Sequence, residues 1–431
     1  TQDKPAVAGP DFRLDKRKAL DPSKFPNRSG IGGRLPTTIP NLKYMLEQYG
    51  VSVRYDIVRK RLMVTIPGVS IRPDNCDNVV IAEVSSLAAL NGFSLASVPS
   101  FLEALGDRNS YNPVAEWISS RAWDGADRLE AYYGTLTTLE DFPDQLKRVL
   151  MYRWLLSATA AALTPSGFTA RGVLTLQGPQ SIGKTSWVRS LIPCRELQET
   201  VLKLDHHLDA LNKDSTLSAI SHWIVEIGEL DSSFKKDVAR LKGFLTGGTD
   251  KVRRPYARSD SEYPRRTVFC ATVNESQFLV DLTGNARWWT LPLVAVDFKH
   301  GIDMQQLFAQ LSGDLLEGAQ WWLTAEEEGL LEAQNNQHLS VSVIREQVDA
   351  YFECLLPDGD KKENLSAREF LVKRLNIEEP RNQDCKECAK ALRIRLGPAK
   401  RIKGYDKWPV PRENGPATAL DGFRAHRAAA A

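Results

Sequence analysis

The chain predicts an α/β fold with a phosphate-loop core on a parallel sheet, and three observations carry that reading. From Gly172 onward strand-like and helix-like segments alternate, which is the pattern of a parallel sheet with crossover helices. Gly178-Pro-Gln-Ser-Ile-Gly183-Lys184-Thr185 fits the Gly-x4-Gly-Lys-[Ser/Thr] pattern in full. An apolar strand, Gly172–Gln177, precedes it and a helix opening at Thr185 follows, the context that this pattern requires.

Length and composition bound the rest. At 431 residues the chain exceeds one ordinary core, so about two to four domains of roughly 100–200 residues are expected. It is 42% hydrophobic and 26% charged, as globular chains are, and no apolar run approaches the ~20 residues of a membrane span. The opening Thr1-Gln-Asp-Lys-Pro lacks a signal-peptide layout, and the absence of an initiator Met points to processing or truncation. A cytoplasmic location, in a bacterial host, and no membrane partner are the expectation. Six scattered cysteines do not form a disulfide framework, and the lone Cys385-Lys-Glu-Cys388 reads as helix packing ahead of a zinc or redox site.

Taken in order, residues 1–38 read as a flexible arm rich in Pro, Gly, Lys and Arg. Residues 39–110 form a small α+β domain, with a helix over 41–49 and strands over 51–56 and 61–66. Residues 111–168 are a helical collar or oligomerisation region, with a helix opening at Asn112-Pro, a turn at Asp124-Gly125 and a helix over 144–164. The core spans 169–300 and contains a basic hairpin insertion, and helices over 301–355 pack on it. Pro357 to Asn364 reads as a linker, 356–412 as a winged-helix-like domain that could grip duplex DNA, and 413–431 as a disordered tail.

The candidate chemistry follows from residue types at fixed places. Gly178, Pro179, Gln180, Ser181, Ile182, Gly183, Lys184, Thr185 and Ser186 are the expected ATP-binding loop. Its glycines let backbone N–H groups close on phosphates, Lys184 reaches the β- and γ-phosphates, and the Thr185 hydroxyl holds Mg²⁺. Carboxylates must complete the metal shell and activate water, and the apolar strand Trp223-Ile-Val-Glu226-Ile-Gly-Glu229 offers two. Burying an acid in such a strand is costly without a metal or a partner, so Glu226 is assigned to the metal and Glu229 to the water, with shared or reversed roles open. Asn274 at the next strand's end can orient the lytic water. Arg287, ahead of Trp288-Trp289, can reach a neighbouring subunit's ATP in trans, or simply stack on Trp288 at the surface.

Net charge is only +2, so nucleic-acid contact has to come from local patches. Lys242, Lys251, Arg253, Arg254, Tyr256, Arg258, Arg265 and Arg266 lie between the carboxylate strand and the Asn274 strand. Basic residues interleaved with Tyr suit a hairpin gripping a phosphate backbone, and a solvated charge run is the plain alternative.

These motifs together resemble the virulence-associated protein E family and, more broadly, superfamily 3 helicases of phages and mobile elements. The resemblance runs from about Asn112 to Phe352. It rests on Asn112-Pro-Val with Trp123-Asp-Gly, the 178–185 loop, Trp223–Leu230, Phe244-Leu-Thr with Arg254-Pro-Tyr, Thr272-Val-Asn and Gly284-Asn-Ala-Arg-Trp-Trp. It implies an AAA+-like core with helical collar elements, a hexameric homo-oligomer with ATP at subunit interfaces, and single-stranded or forked DNA threaded past the basic hairpin. It also implies replicative helicase work at an origin beside a primase or replication initiator. An initiator or remodeller that does not translocate shares every ATPase residue, and a small-molecule P-loop kinase is the remaining rival.

Overall fold

The computed structural model describes residues 17–28, 35–69, 76–165, 168–209, 211–228, 238–252, 261–274, 285–335, 343–355 and 357–413. The chain forms two compact units, the first running to residue 276 and resuming over 283–336, the second comprising 277–282 and 337–431.

The first unit opens with α1 (Ile39–Gln48), capped by the Thr38 hydroxyl on Asn41 N–H. The hairpin β1 (Ser52–Asp56) and β2 (Arg61–Thr65) follows, then α2 (Cys76–Leu90), α3 (Val98–Arg108) and β3 (Ser110–Tyr111), which lies parallel to β1. Leu42, Met45, Val84 and Leu102 are fully enclosed there. Phe25 at 2% exposure and Leu35 at 9% join the same core, with Leu20 against it. This corrects the flexible-arm reading for 17–28 and 35–38, where scattered large apolar side chains anchor a segment that lacks periodicity; 1–16 and 29–34 lie outside the described residues.

Next come α4 (Pro113–Ile118), α5 (Leu129–Tyr133), β4 (Leu136–Thr138) and α6 (Asp144–Leu163). Asn112 caps α4 by accepting from Val114 and Ala115 N–H, while its Nδ2 donates to Ala162 O at 2.7 Å and so ties α4 to the end of α6. The core then runs β5 (Val173–Gln177), α7 (Lys184–Ser190), α8 (Arg195–Val201), β6 (Leu202–His206), α9 (Lys213–Ile220) and β7 (Ile224–Ile227). It continues through α10 (Val238–Leu245), β8 (Thr249–Val252), β9 (Ser261–Pro264), β10 (Val268–Val273) and β11 (Trp288–Val296) to α11 (Met304–Leu316) and α12 (Ala325–Asn335). The main sheet has the order β4-β11-β5-β10-β7-β6, all neighbours parallel except the β4 edge. Its central strands β5, β7 and β10 are buried on both faces, as strands of a sheet covered by helices must be.

Two buried indoles seat α6 on the sheet. Trp154 Nε1 donates to Phe269 O and Trp223 Nε1 to Ala158 O, each at 2.8 Å. The irregular 119–128 stretch instead bonds to a row of buried glutamines on α11. Gln305 and Gln306 donate to the carbonyls of Ile118, Arg121 and Ala122, and Gln306 and Gln310 accept from Asp124 and Arg128 N–H. Polar backbone without a strand or helix partner is thereby satisfied. The α11 helix ends at Leu316, and Gly318 turns the chain at φ +90°.

The second unit contains α13 (Val343–Cys354), β12 (Pro357–Leu365), α14 (Ala367–Leu375), α15 (Asn382–Leu396), β13 (Lys400–Ile402) and β14 (Tyr405–Glu413), with sheet order β12-β14-β13, all antiparallel. Ser366 and Glu369 form a capping box on α14. The linker reading of 357–364 is corrected to strand β12, because pairing with β14 overrides its low strand propensity. The boundary at 356 is also corrected: Val348 and Tyr351 of α13 pack with Phe370, Leu392 and Trp408. Cys388 is enclosed on α15, its thiol pushed up to about 12 by burial, and donates to Ala367 O. Among the described residues no helix is long and apolar enough to cross a membrane.

His222, between α9 and β7, gives a pH-dependence. Burial pulls its pKa down from 6.5 to about 4, against the hydrogen bond it gives Ser218 O, and the Lys203 and Arg59 cations pull the same way as burial. A depressed folded-state value means that this stability is complete above pH 6.5 and is lost as pH falls through about 4. Urea unfolding should therefore show a loss of about 2 kcal/mol from this group between pH 7 and pH 5. The loss should shrink by that amount in His222→Asn; an equal pH slope in both proteins would contradict it.

Candidate functional site

Three parallel strands deliver the site. Val273 of β10 pairs with Gln177 of β5, and Ala271 of β10 with Ile227 of β7, so the carboxyl ends of β5, β10 and β7 lie side by side. Ligand sites in open α/β sheets form at that edge. The 178–183 turn leaves β5 there, anchored by Gly178 N–H on Val273 O at 3.1 Å. Ser181 at φ +68° and Gly183 at φ +100° take left-handed backbone, and Pro179, Gln180 and Ser181 form its exposed crest. A side chain at Gly183 would also strike the Phe298 ring, 2.6 Å from where Cβ would stand. Ile182 and Ser186 are half-buried at the two ends of the turn into α7.

Lys184 is the first residue of α7 and only 7% exposed. Its ammonium donates to Gly178 O at 2.7 Å, Pro179 O at 2.8 Å and Asn274 Oδ1 at 3.0 Å. Burial lowers its pKa, and the charge on Glu226 works in the opposite direction. Glu226, 1% exposed on β7, accepts on Oε1 from Thr185 Oγ1 at 2.6 Å and Thr272 Oγ1 at 2.9 Å, and on Oε2 from Asp205 N–H at 3.2 Å. Three segments far apart in sequence thus meet here, with Lys184 bonded to Asn274 and its neighbour Thr185 bonded to Glu226.

Residues 118–340 match the model of the virulence-associated protein E-like domain. The chain belongs to this family. Virulence-associated protein E-like residues therefore run from the end of α4 past α12, enclosing the whole cluster and the β8–β9 hairpin. Among solved structures the chain is similar to the NrS-1 C-terminal region in its A-form apo state, at TM-scores of 0.42 and 0.39. In both, identity is 12%, with 86% of this chain and 99% of that one covered. A further apo structure of that region gives a TM-score of 0.37. No curated protein matches the chain.

Other expected residues fall elsewhere. Arg287 stands immediately before β11, whose Trp288 pairs with Val173 at the start of β5 and whose Pro292 pairs with Gln177 at its end. Arg287 is therefore at the opposite edge of the sheet from the turn, roughly 16 Å away at ~3.3 Å per strand residue. Lys251 is exposed on the β8–β9 hairpin and ion-paired with Glu262 at 2.6 Å. Arg265 is a correction: its side chain is 1% exposed, and it holds Asp250 through Nε and Nη2 at 2.6 and 2.5 Å. Its guanidinium also covers the Phe244 ring at 4.6 Å, so it ties the hairpin to α10 and presents nothing to a phosphate. Arg266 is half-buried, donating to Thr164 O and Pro165 O. Glu229, Arg253, Arg254, Tyr256 and Arg258 lie outside the described residues, as does the Lys242 side chain on α10.

Two members of the cluster were not legible as site residues. Thr272 had a signal, since it shares a strand face with Asn274 at a spacing of two. Asp205 had none: it contributes a backbone N–H from left-handed backbone at φ +50° at the end of β6.

Asp250→Ala strands a buried guanidinium and should cost about 3–5 kcal/mol in urea unfolding. Asp250→Leu with Arg265→Met should recover most of it; a single variant as stable as the parent would contradict the buried pair.

Proposed function

We propose that the chain is an ATP-hydrolysing DNA motor of phage or mobile-element replication, a superfamily 3 type helicase working as a ring. The observation that carries this reading is the meeting of Lys184, Thr185, Glu226 and Asn274 at adjacent strand ends, beside a turn whose sequence suits a triphosphate. Numbering the parallel strands from β5, the sheet order is 5-1-4-3-2, which supports reading the core as an AAA+-like P-loop core. The helix, strand, two helices and strand pair of the C-terminal unit support its reading as winged-helix-like.

The donor set fits Mg²⁺. A hydroxyl and a carboxylate are hard oxygen ligands, and this ion keeps several waters and phosphate oxygens rather than needing a full protein cage. Thr185 and Glu226 would hold it, and bound there it would neutralise charge on the β- and γ-phosphate oxygens. In this reading Lys184 exchanges its carbonyl partners for phosphate oxygens, and Asn274, bonded to Lys184, orients the attacking water. Glu226 accepts from three donors and keeps its remaining lone pair for the metal, which leaves water activation to Glu229 in this reading.

Arg287 does not share the edge of its own turn, which favours action in trans on a neighbour's ATP and hence a ring of copies, a hexamer by family resemblance. In that ring the β8–β9 hairpin, with Lys251, Arg253, Arg254, Tyr256 and Arg258, grips single-stranded or forked DNA, and a primase or initiator acts alongside.

Lys184→Ala and Arg287→Ala should each abolish DNA-stimulated ATP turnover with the fold retained by circular dichroism. Mixing the two variants should restore part of the turnover, because some interfaces then pair an intact Lys184 with an intact Arg287. Full turnover in Lys184→Ala would refute the site, and no restoration on mixing would refute action in trans.

A further inference from the structure

Between Arg381 and Arg412 the chain carries ten Lys and Arg against three Asp and Glu, although the whole chain is only +2. The fold lays part of this charge out on one stripe of α15 and on the β13–β14 hairpin, while Arg395 is turned to Asp349 and Glu353 of α13. Lys386, Lys390 and Arg393 of α15 are spaced by four and three, a single stripe of a 3.6-residue helix, and all are exposed. The other side of α15, with Cys388, Ala391 and Leu392, is enclosed in the unit's core. Among the described residues, none of the three stripe cations has a carboxylate within ion-pair distance.

The β13–β14 hairpin extends the surface with exposed Lys400, Lys403 and Arg401, the last loosely paired with Asp406 at 3.9 Å, while its inward cation Lys407 is taken by Glu369 at 2.9 Å. Stripe and hairpin are continuous: Arg393 of α15 and Tyr405 of β14 wall the same 510 Å³ groove.

We propose that this face docks duplex DNA, with the α15 stripe along a groove and the hairpin cations on a flanking phosphate backbone. The inference goes beyond the motor reading, which puts single-stranded or forked DNA on the β8–β9 hairpin of the other unit and no DNA on this one. A helix and a two-stranded ribbon are the shapes that a major groove about 12 Å wide admits. Rows of phosphates supply the complementary charge. A single strand would call for successive aromatic platforms, whereas Tyr405, 68% exposed, is the one exposed ring walling the groove among the described residues. Exposed Glu378 and Glu379 precede α15, so contact falls on its centre and C-terminal half rather than on the first turn that leads in helix-turn-helix docking.

The test is fluorescence anisotropy with the full chain, using a labelled duplex and a single strand of the same sequence over a salt series. Lys390→Ala with Arg393→Ala and Lys403→Ala should weaken duplex binding at least ~10-fold and lower the salt slope by about 2–3, at ~0.9 per lost phosphate contact. Single-strand affinity, melting temperature and ATP turnover without DNA should stay at parental values. The charge-preserving set Lys390→Arg, Arg393→Lys and Lys403→Arg should keep duplex binding. Unchanged duplex affinity in the alanine variant would overturn the proposal. So would an equal loss for the single strand, or an equal loss from Lys43→Ala with Lys213→Ala in the other unit. Absence of ATP turnover in the parent would sink the motor reading while leaving duplex binding readable.

Discussion

A carboxylate with 1% exposure at the end of an apolar strand is the constraint on which the rest of this molecule turns. An ionised acid taken out of water without partners loses several kcal/mol at least, so Glu226 has to be met from all sides. It is met by Thr185 of α7, Thr272 of β10 and the N–H of Asp205 at the end of β6. Each donor comes from a different element, so one buried charge fixes the relative placement of a helix start and three strand ends.

That placement links the candidate site to the hairpin through continuous chain. Arg265 leaves the β8–β9 hairpin, and three residues later Val268 opens β10, which carries Thr272 to Glu226 and ends beside Asn274. Because Arg265 is locked to Asp250 and covers Phe244, the base of the hairpin is held firmly against α10. In the motor reading, a change in what Asn274 and Thr272 touch has a stiff path to the DNA-gripping segment. In the same reading Arg287, at the far edge of the same sheet, would supply the complementary link to a neighbouring copy.

Much of this was legible in the chain because its signals are local. The 178–185 turn is announced by glycines that the backbone needs, and the buried strands by unbroken apolar runs. Glu226 stood out as an acid inside such a run. What was not legible depends on tertiary partners. Arg265 looks like its basic neighbours until Asp250 is placed against it, and Asp205 enters through its backbone, which no side-chain pattern reports. Phe25 and Leu35 read as arm residues because burial of a few isolated side chains leaves no period. β12 was missed because a charged, Gly-containing stretch acquires strand form only by pairing with β14.

In the proposed motor, Glu226 and Thr185 together would hold a metal against a bound triphosphate. The most direct measurement is calorimetric titration of a nonhydrolysable ATP analogue with and without Mg²⁺, in the parent and in Glu226→Gln. Mg²⁺ should tighten binding to the parent, and Glu226→Gln should lose this gain while keeping the metal-free affinity. An undiminished Mg²⁺ gain in Glu226→Gln would contradict it.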